Sequence, residues 1–331
     1  MQVIVHKSLK KIKTKYEYLY NNSPYKNVFM SYDFLKNCLK AIEYNRLLRF
    51  LKNKSKIRFL EVINENGLTI LILPVIIHKD KLRSIPTYDY YDILFGNFEN
   101  QVLLEALYAI VQKYNLDITF FNVTDRSKLY EIIKNLHIQA TVSPHGCGAI
   151  ELPKTYEDYY LGLTKSSRQN LRTAYNRLEK DNLQIKMNYY LGNVPKKVYK
   201  QSKQMYIKRF FEKNPNKRSL IKYAKLQLFE PFSKICYKTK NSFHAILTID
   251  NKPAAAMAGL VNDKRVIIPR LVFNSDFKKY SPGILLINET IKYMIGKNIF
   301  EILDLGYGEE SYKFVMGAQP YVTYDIQFKR K

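Results

Sequence analysis

The chain has 331 residues, of which 46% are apolar, so it has enough material for packed cores in about two domains. A net charge of +25, from 54 Lys and Arg against 29 Asp and Glu, favours acidic partners such as nucleic acid, an anionic membrane surface or an acidic carrier protein. Three widely separated cysteines argue against a disulfide framework and a structural zinc site.

The basic residues are spread along the chain, so the charge also fits the compositional bias of an AT-rich genome. The N-terminal segment lacks the apolar core of a signal peptide. The longest apolar run, at residues 68–77, is too short to cross a bilayer. We therefore expect a soluble cytoplasmic protein without a membrane span.

The first half of the chain predicts the element order β-β-β-α-β-α-β. Residues 57–63 and 68–77 predict a hairpin, because Asn66 and Gly67 between them form a strong turn signal. The other main elements predicted here are a helix near residues 29–42, a strand at 88–95, a helix at 100–114, a strand at 117–123, a short helix and a further strand before residue 152.

The second half begins with two predicted helices, the first capped by Thr155 and the second at 166–180. It shares with the first half the order hairpin, strand, helix, strand, which suggests a structural duplication. The remaining predicted elements are helices at 194–213 and 218–232, strands at 242–250, 252–262 and 264–274, a helix at 282–295, and strands at 300–306 and 321–328.

A glycine beside a proline marks the start of the helix predicted in YSPGILLINETIKYMI. A strand that leads into a helix leaves backbone N–H groups unpaired at the helix N-terminus, where an anion such as a pyrophosphate is favoured. Pro282 has no N–H to leave unpaired, Gly283 has no Cβ to hold a ligand away, and Ser281 can cap the helix or donate to a phosphate. An ordinary capped helix explains the same residues without a ligand. The candidate anion site comprises Tyr280, Ser281, Pro282, Gly283, Ile284 and Leu285.

Four segments occur in one order: SSRQNLRTAYNRLEK, KPAAAMAGL, YSPGILLINETI and EILDLGYGEESYKFVMG. This series resembles the acyltransferases of the GNAT superfamily, in the branch of cellulose-biosynthesis-type acetyltransferases, which is related to the Fem peptidyl transferases. The resemblance implies an α/β (α+β) fold of two tandem GNAT-like halves, each a mixed, mostly antiparallel sheet flanked by helices. It implies a degenerate half at 1–152 and a half at 153–331 that carries one acyl-CoA site, with the pyrophosphate on residues 280–285.

The resemblance also implies catalytic candidates in DLGYGEESYK. Acyl transfer from a thioester needs a group that takes the proton of the nucleophile and a donor near the leaving thiolate. Asp304, at the end of a predicted strand, or Glu309 is the candidate base, and Tyr312 is the candidate acid. Lys313 is a candidate contact for an acidic group of the acceptor. Alternatively, Asp304 caps the loop and the glutamates are solvated.

Arg168 and Arg172 are four residues apart on a predicted helix and border its apolar stripe, so they point the same way. If the stripe faces the sheet, they can hold a phosphate or carboxylate of the acceptor. A solvated basic face explains them equally well. His244 lies within a strand pattern and reads as a core histidine.

The resemblance implies an acyl-CoA-dependent N- or O-acyltransferase, with acetyl-CoA or another acyl-CoA as co-substrate and no metal. Its acceptor would be an amino sugar, a nucleotide sugar or another cell-envelope precursor, as in polysaccharide biosynthesis. The alternative is a Fem-like transferase that takes an aminoacyl group from charged tRNA, which the positive charge and the segment YKFVMG favour. A non-catalytic module that binds nucleic acid or membranes is disfavoured, because the chain has no dense basic cluster and no amphipathic anchor.

Overall fold

The computed structural model describes residues 1–48, 56–85, 90–114, 116–135, 140–215 and 231–328. Its contacts divide the chain into two compact units. The first contains Met1–Gly146 and Val322–Lys331, and the second contains Cys147–Tyr321. Nearly all of the helix predicted at 218–232, and the first two residues of the strand predicted at 88–95, lie outside the described residues.

The first unit contains β1 Gln2–His6, β2 Lys56–Ile63, β3 Thr69–His78, β4 Lys81–Ser84, β5 Leu94–Phe95, β6 Asp117–Thr124 and, from Val322 onwards, β13 Gln319–Phe328. These strands join in the order β1-β2-β3-β4-β6-β13, with β5 paired to β3. Between the described residues of this unit, β4 and β6 pair in parallel and the other pairs are antiparallel. The helices are Lys13–Asn22, Tyr32–Leu48, Asn100–Tyr114 and Lys128–Asn135.

The predicted hairpin is confirmed, because β2 and β3 pair and Gly67 in their turn has a φ of 76°. The amphipathic helix Asn100–Tyr114 is also confirmed, and it buries Leu103, Leu107 and Ile110 in the core of this unit. The strand predicted at 88–95 is reduced among the described residues to Leu94–Phe95. The spacing of apolar residues in the sequence did not predict β1 or β4, because both strands are short and neither has a long alternation of apolar and polar residues.

The second unit contains β7 Ala140–Glu151 from Cys147 onwards, β8 Ile185–Leu191, β9 Ser242–Ile249, β10 Lys252–Asn262, β11 Arg265–Phe273 and β12 Ile302–Tyr307. These strands join in the order β7-β12-β11-β10-β9-β8. Here β11 pairs with β12 in parallel, and the other pairs between the described residues of this unit are antiparallel. The helices are Tyr156–Gly162, Lys165–Lys180, Lys196–Lys213, Pro231–Lys238, Pro282–Lys297 and Ser311–Val315.

Helices cover both faces of the second sheet. On one face, Leu171 and Ala174 of Lys165–Lys180 and Leu285 of Pro282–Lys297 pack in one core with alternate residues of β9 such as Phe243. On the other face, the helices Lys196–Lys213 and Pro231–Lys238 contact β9, β10 and β11. No helix among the described residues combines the length and the apolar composition needed to cross a membrane.

The predicted fold class is confirmed, since each unit is a mixed, mostly antiparallel sheet flanked by helices. The boundary between the units differs from the predicted one, which followed residue 152 and left the whole C-terminus in the second half. Thr323 to Phe328 pair with Thr124 to Ile118 of β6, so the last strand joins the first unit. A strand pattern gives no information on which sheet receives the strand.

Candidate active site

A break in the pairing of β10 with β11 marks the middle of the second sheet. Ala258 pairs with Arg270, and Leu260 pairs with Ile267. Between these two pairs β10 advances by two residues, whereas β11 advances by three. The extra residue bends β11 and leaves backbone groups without partners in the ladder. Gly259 lies at the bulge, where a Cβ would lie 2.0 Å from the Ile267 carbonyl oxygen. Glycine therefore allows the two strands to approach this closely.

The strands β11 and β12 part next to this bulge. Their parallel pairing runs from Arg265 opposite Ile302 to Ile267 opposite Asp304. β11 then continues beside β10, and β12 continues to its own end, with no further pairing between these two fully described strands. The parted edges are available for main-chain hydrogen bonds, so an extended ligand can pair with them like an added strand.

Ser281 is the N-cap of the helix Pro282–Lys297, and its φ of 50° lies in the left-handed region. The N–H groups of Ile284 and Leu285 donate to the Ser281 carbonyl oxygen at 3.0 and 3.2 Å. Within the described part of the chain, the Gly283 N–H and the Ser281 hydroxyl have no hydrogen-bond partner. These two donors and the positive end of the helix dipole suit an anion.

The missing side chain of Gly283 does not point toward the predicted anion site. A Cβ there would lie 3.5 Å from Cδ2 of Leu271 and 3.9 Å from Cδ1 of Phe273, which are ordinary van der Waals distances. The missing side chain therefore faces β11, and a Cβ would fit there, so neither a ligand nor close packing on the strand requires glycine at this position. The same contact places the helix start against the part of β11 that has left β12.

Asp181, the residue that caps the helix Lys165–Lys180, holds the turn before this helix start. Its carboxylate accepts hydrogen bonds from the Lys279 ammonium and the Tyr280 hydroxyl, both at 2.6 Å. These two hydrogen bonds hold the pKa of Asp181 below its usual range. Arg177 also donates to the Lys279 carbonyl oxygen at 2.8 Å. Tyr280 therefore anchors the turn through its hydroxyl, and the cationic Lys279 is exposed beside the helix start.

Asp304 is buried where β11 and β12 begin to part. Its Oδ1 accepts hydrogen bonds from the Gly306 N–H and the Tyr321 hydroxyl, both at 2.8 Å. Its Oδ2 lies 3.1 Å from Nε of Arg265, which is an ion pair whose angle does not suit a hydrogen bond. Because both oxygens are engaged, the geometry favours a positioning role over the predicted role as base.

Lys313 holds the loop that follows β12. Its ammonium donates to the carbonyl oxygens of Gly306, Tyr307 and Gly308 at 2.9, 2.8 and 2.8 Å, and it lies 3.0 Å from a carboxylate oxygen of Glu310. The side chain is 1% exposed. The predicted contact with an acceptor does not fit this placement, because the three N–H donors already have acceptors inside the loop.

Glu309 and Tyr312 remain open to a ligand. Glu309 is exposed, and the Tyr312 hydroxyl has no hydrogen-bond partner in the described ranges. Burial, with a smaller contribution from the charge of Glu310, raises the pKa of Tyr312 well above its usual value. The phenol is therefore protonated at neutral pH, as the predicted acid has to be.

Arg168 and Arg172 of the helix Lys165–Lys180 make separate contacts and do not converge on a common site. Nη1 of Arg168 donates to the carbonyl oxygens of Leu161 and Leu163, at 2.8 and 2.6 Å, and so satisfies the end of the preceding helix. Arg172 is exposed and donates to the Gln169 side chain at 2.9 Å. Of the two, Arg172 is the one that can turn to a ligand.

A polar network that the sequence patterns did not predict joins three helices over the second sheet. Tyr156 donates to Oδ1 of Asn288, and Nδ2 of Asn288 donates to the Tyr175 oxygen, both at 2.9 Å. Tyr175 in turn donates to Glu289, which also accepts from Lys292 at 2.7 Å. Tyr175 lies on the predicted apolar stripe, but its partners lie on the helix Pro282–Lys297, far along the chain, and no local spacing indicates them.

We expect this network to make the protein sensitive to alkali. Burial and the hydrogen bond to Glu289 raise the pKa of Tyr175 in the folded state, while the unfolded chain keeps a value of about 10. The contribution of Tyr175 to stability is therefore constant below about pH 10 and falls above it, because the unfolded chain then binds fewer protons at this group than the folded one. Urea unfolding between pH 7 and 11 should show this fall. Tyr175→Phe should show a smaller one, and an equal fall in the variant would contradict the assignment.

Comparison with protein families identifies the segment that holds most of this geometry. Residues 243–314 match the family model described as an acetyltransferase (GNAT) domain. The match begins in β9 and includes the bulge, the parting of β11 from β12, the start of Pro282–Lys297 and the loop held by Lys313. Comparison with curated proteins gives no match.

Solved structures resemble the chain over nearly its whole length. A conserved protein of unknown function from Bacteroides thetaiotaomicron covers 99% of this chain and 100% of its own at 10% identity, with a TM-score of 0.61. FemX covers 98% of this chain and 97% of its own at 10% identity and a TM-score of 0.55. L-PGS from Bacillus licheniformis covers 88% and 92% at 11% identity and a TM-score of 0.55. At these identities the likeness is one of fold.

Proposed function

We propose that this chain, an acyltransferase of the GNAT superfamily with Fem-related relatives in fold, takes its acyl group from acetyl-CoA or another acyl-CoA. The observation that supports this most is the parting of β11 from β12 beside the unpaired donors at Ser281 and Gly283. The amide-bearing arm of a CoA thioester can pair with a strand edge, and its pyrophosphate suits a helix N-terminus. In this proposal the pyrophosphate rests on residues 280–285.

The chemistry is direct transfer. An amine or hydroxyl of the acceptor attacks the thioester carbonyl carbon, so that a C–N or C–O bond forms and the C–S bond breaks. The acceptor gives up its proton to a base, and the leaving thiolate takes a proton from an acid. We assign these roles to Glu309 and Tyr312, because the carboxylate of the first is exposed and the phenol of the second is protonated. Asp304 and Lys313 position the loop that carries both.

The proposed acceptor is an amino sugar, a nucleotide sugar or another envelope precursor, in line with the resemblance that the sequence shows. Arg172 is the predicted acceptor contact that is available at the surface, whereas Arg168 and Lys313 are engaged with backbone carbonyls. The excess of positive charge favours an acidic acceptor. Acyl-CoA is made in the cytoplasm, so the proposal includes a cytoplasmic location.

The donor site is tested by Ser281→Asp. Aspartate is a good N-cap and tolerates a left-handed backbone, so the helix start should be as stable as before or more so. Its carboxylate stands where the proposal puts a phosphate, and we expect the Kd for acetyl-CoA to rise at least about tenfold, or 1.4 kcal/mol. Isothermal calorimetry measures the Kd, and thermal unfolding measures stability.

Ser281→Asn is the matched control, because it has the size of aspartate without the charge. We expect it to bind acetyl-CoA within about threefold of the original protein, about 0.7 kcal/mol. An unchanged Kd in Ser281→Asp, or an equal loss in both variants, would refute the assignment of an anion site to this helix start.

The second candidate is transfer of an aminoacyl group from charged tRNA, which the likeness in fold to FemX and the net charge of +25 favour. The same calorimetric titration distinguishes the two donors. Binding of aminoacyl-tRNA without binding of acetyl-CoA would support this candidate and remove the first. Binding of acetyl-CoA alone, weakened by Ser281→Asp, would support the first.

A further inference from the structure

His244 on β9 is buried to 1% exposure and has no hydrogen-bond partner at either ring nitrogen among the described residues. A neutral imidazole carries one N–H donor and one acceptor, so both capacities are unused. Burial lowers the pKa of His244 to about 4, which keeps the ring neutral at pH 7. Buried polar groups nearly always have partners, and an apolar side chain would fill the same space without this cost.

The register of the sheet shows which residues share a face with His244. His244 pairs with Tyr190 of β8 on one side and with Ala258 of β10 on the other, and Ala258 pairs with Arg270 of β11. Directly paired residues point to the same face, so these four side chains form one row across four strands. We call them the 190–270 row.

The 190–270 row lies on the sheet face covered by the helix Lys196–Lys213. Ile246, two residues from His244, packs in the core on that face, whereas Phe243 and Ala245 pack in the core on the opposite face. The guanidinium of Arg270 lies 5.2 Å from the centre of the Tyr206 ring on the covering helix. Ala258 separates His244 from Arg270 with only a methyl group. The Cα atoms of these two residues are about 10 Å apart, from two strand spacings of about 5 Å.

The row ends next to the proposed donor. Arg270 directly follows the bulge in β11, in the part of the strand that has left β12. A ligand that reaches from His244 to Arg270 would therefore end beside the strand edge on which the thioester is proposed to lie. The row offers the guanidinium of Arg270, the neutral imidazole of His244 and the phenol of Tyr190. The ring of Tyr206 lies beside the guanidinium.

We propose that the 190–270 row is the acceptor site, and that it holds a small hydroxylated amine with a phosphate or carboxylate group. The helix that carries Arg172 packs on the opposite face of the sheet, so Arg172 is not an acceptor contact in this inference. This inference rests on the proposed acyl-CoA-dependent transfer. Arg270 binds the anionic group, since a guanidinium can hold a phosphate with two parallel hydrogen bonds. His244 supplies one donor and one acceptor to the hydroxyl or amine, and so gains the partners that it lacks among the described residues. His244 is a binding residue in this proposal, and Glu309 keeps the role of base.

The test uses glucosamine 6-phosphate, which carries an amine, hydroxyls and a phosphate, and glucosamine as the same molecule without the phosphate. Calorimetry measures the Kd of each for the full chain in the presence of saturating CoA. We expect glucosamine 6-phosphate to bind at least tenfold more tightly than glucosamine. His244→Leu and Arg270→Met should each weaken the binding of glucosamine 6-phosphate at least tenfold, and Arg270→Met should abolish the difference between the two probes.

Two controls separate a lost contact from a lost fold. Both variants should keep the acetyl-CoA Kd of the original protein within about twofold, and the Tm of His244→Leu should not fall, because it removes unpaired polar atoms. His78→Leu makes the same substitution in the first unit and should leave probe binding unchanged. A structural histidine would instead give a changed Tm with unchanged probe binding.

The outcomes are distinct. If acetyl-CoA binds but glucosamine 6-phosphate does not bind the original protein, or binds His244→Leu equally well, the 190–270 row is not the acceptor site for this class of molecule and the inference fails alone. If acetyl-CoA does not bind, the proposed function fails, and the inference fails with it because it rests on that function. Weaker probe binding in both variants, with the acetyl-CoA Kd unchanged, supports the proposed function and the acceptor site together.

Discussion

Gly259→Ala is expected to lower the free energy of unfolding by about 3 kcal/mol, the upper end for an overpacked core. The new Cβ would lie 2.0 Å from the Ile267 carbonyl oxygen and 2.8 Å from Cδ1 of Ile268. The nearer contact is backbone, so no rotation of a side chain relieves it, and β10 must move away from β11. The bulge next to the proposed thioester would then change shape, and binding of acetyl-CoA should be lost with the stability.

Gly296→Ala is the matched control for this change. Gly296 lies in the helix Pro282–Lys297, and a Cβ there would meet nothing within 4 Å. Alanine should stabilise the helix by up to about 1 kcal/mol, so the two glycine-to-alanine changes have opposite signs. Thermal unfolding should separate them clearly, because about 3 kcal/mol corresponds to a fall in Tm of roughly 6–12 °C for a unit of this size. An unchanged Tm in Gly259→Ala would contradict the close approach of the strands.

Lys313→Met is expected to cost about 3–5 kcal/mol, the range for removing one partner of a buried charged contact. Methionine keeps much of the length and volume of lysine, so the main loss is the ammonium. The carbonyl oxygens of Gly306, Tyr307 and Gly308 would each lose a donor, and Glu310 would lose its ion-pair partner. Urea unfolding measures the change in stability.

Lys252→Met is the control, because Lys252 is exposed at the start of β10 and its substitution should change stability by less than about 0.5 kcal/mol. If Lys313 instead contacted an acceptor, as the sequence predicted, Lys313→Met would weaken acceptor binding and leave stability almost unchanged. The two readings therefore predict opposite patterns. A destabilised variant that still binds acetyl-CoA at low temperature would show that the loop and the donor site are separate.

The sequence alone determined the elements whose signals are local. The helix Pro282–Lys297 was predicted because Pro282 suits a first turn and apolar residues recur at the helical period. The hairpin of β2 and β3 was predicted because a turn with positive φ at Gly67 favours the pair Asn-Gly. The order of the four segments between residues 166 and 317 also resembles the GNAT superfamily, and residues 243–314 match the acetyltransferase (GNAT) domain model.

Tertiary structure alone decided how the charged side chains are used. Lys313, Arg168 and Asp304 are all polar residues beside predicted loops or helix ends, and their types suggested contacts with a substrate. The structure engages each with a backbone carbonyl, a backbone N–H or a buried partner. A charged side chain binds a ligand or the protein's own backbone according to which backbone atoms other elements bring near it. The residue type alone does not specify those atoms.

The partners of the strands were also decided by tertiary structure. The last strand looked like a continuation of the second half, yet it pairs with β6, and Gly259 looked like an ordinary residue of a strand, yet it lies at the bulge. Period and turn residues determine whether a segment forms a helix or a strand, because those preferences are set within a few residues. The choice of neighbour depends on contacts between segments far apart in the chain, which local preferences do not specify. This is why the sequence located the helix start, whereas the parting of β11 from β12 could be found only in the folded protein.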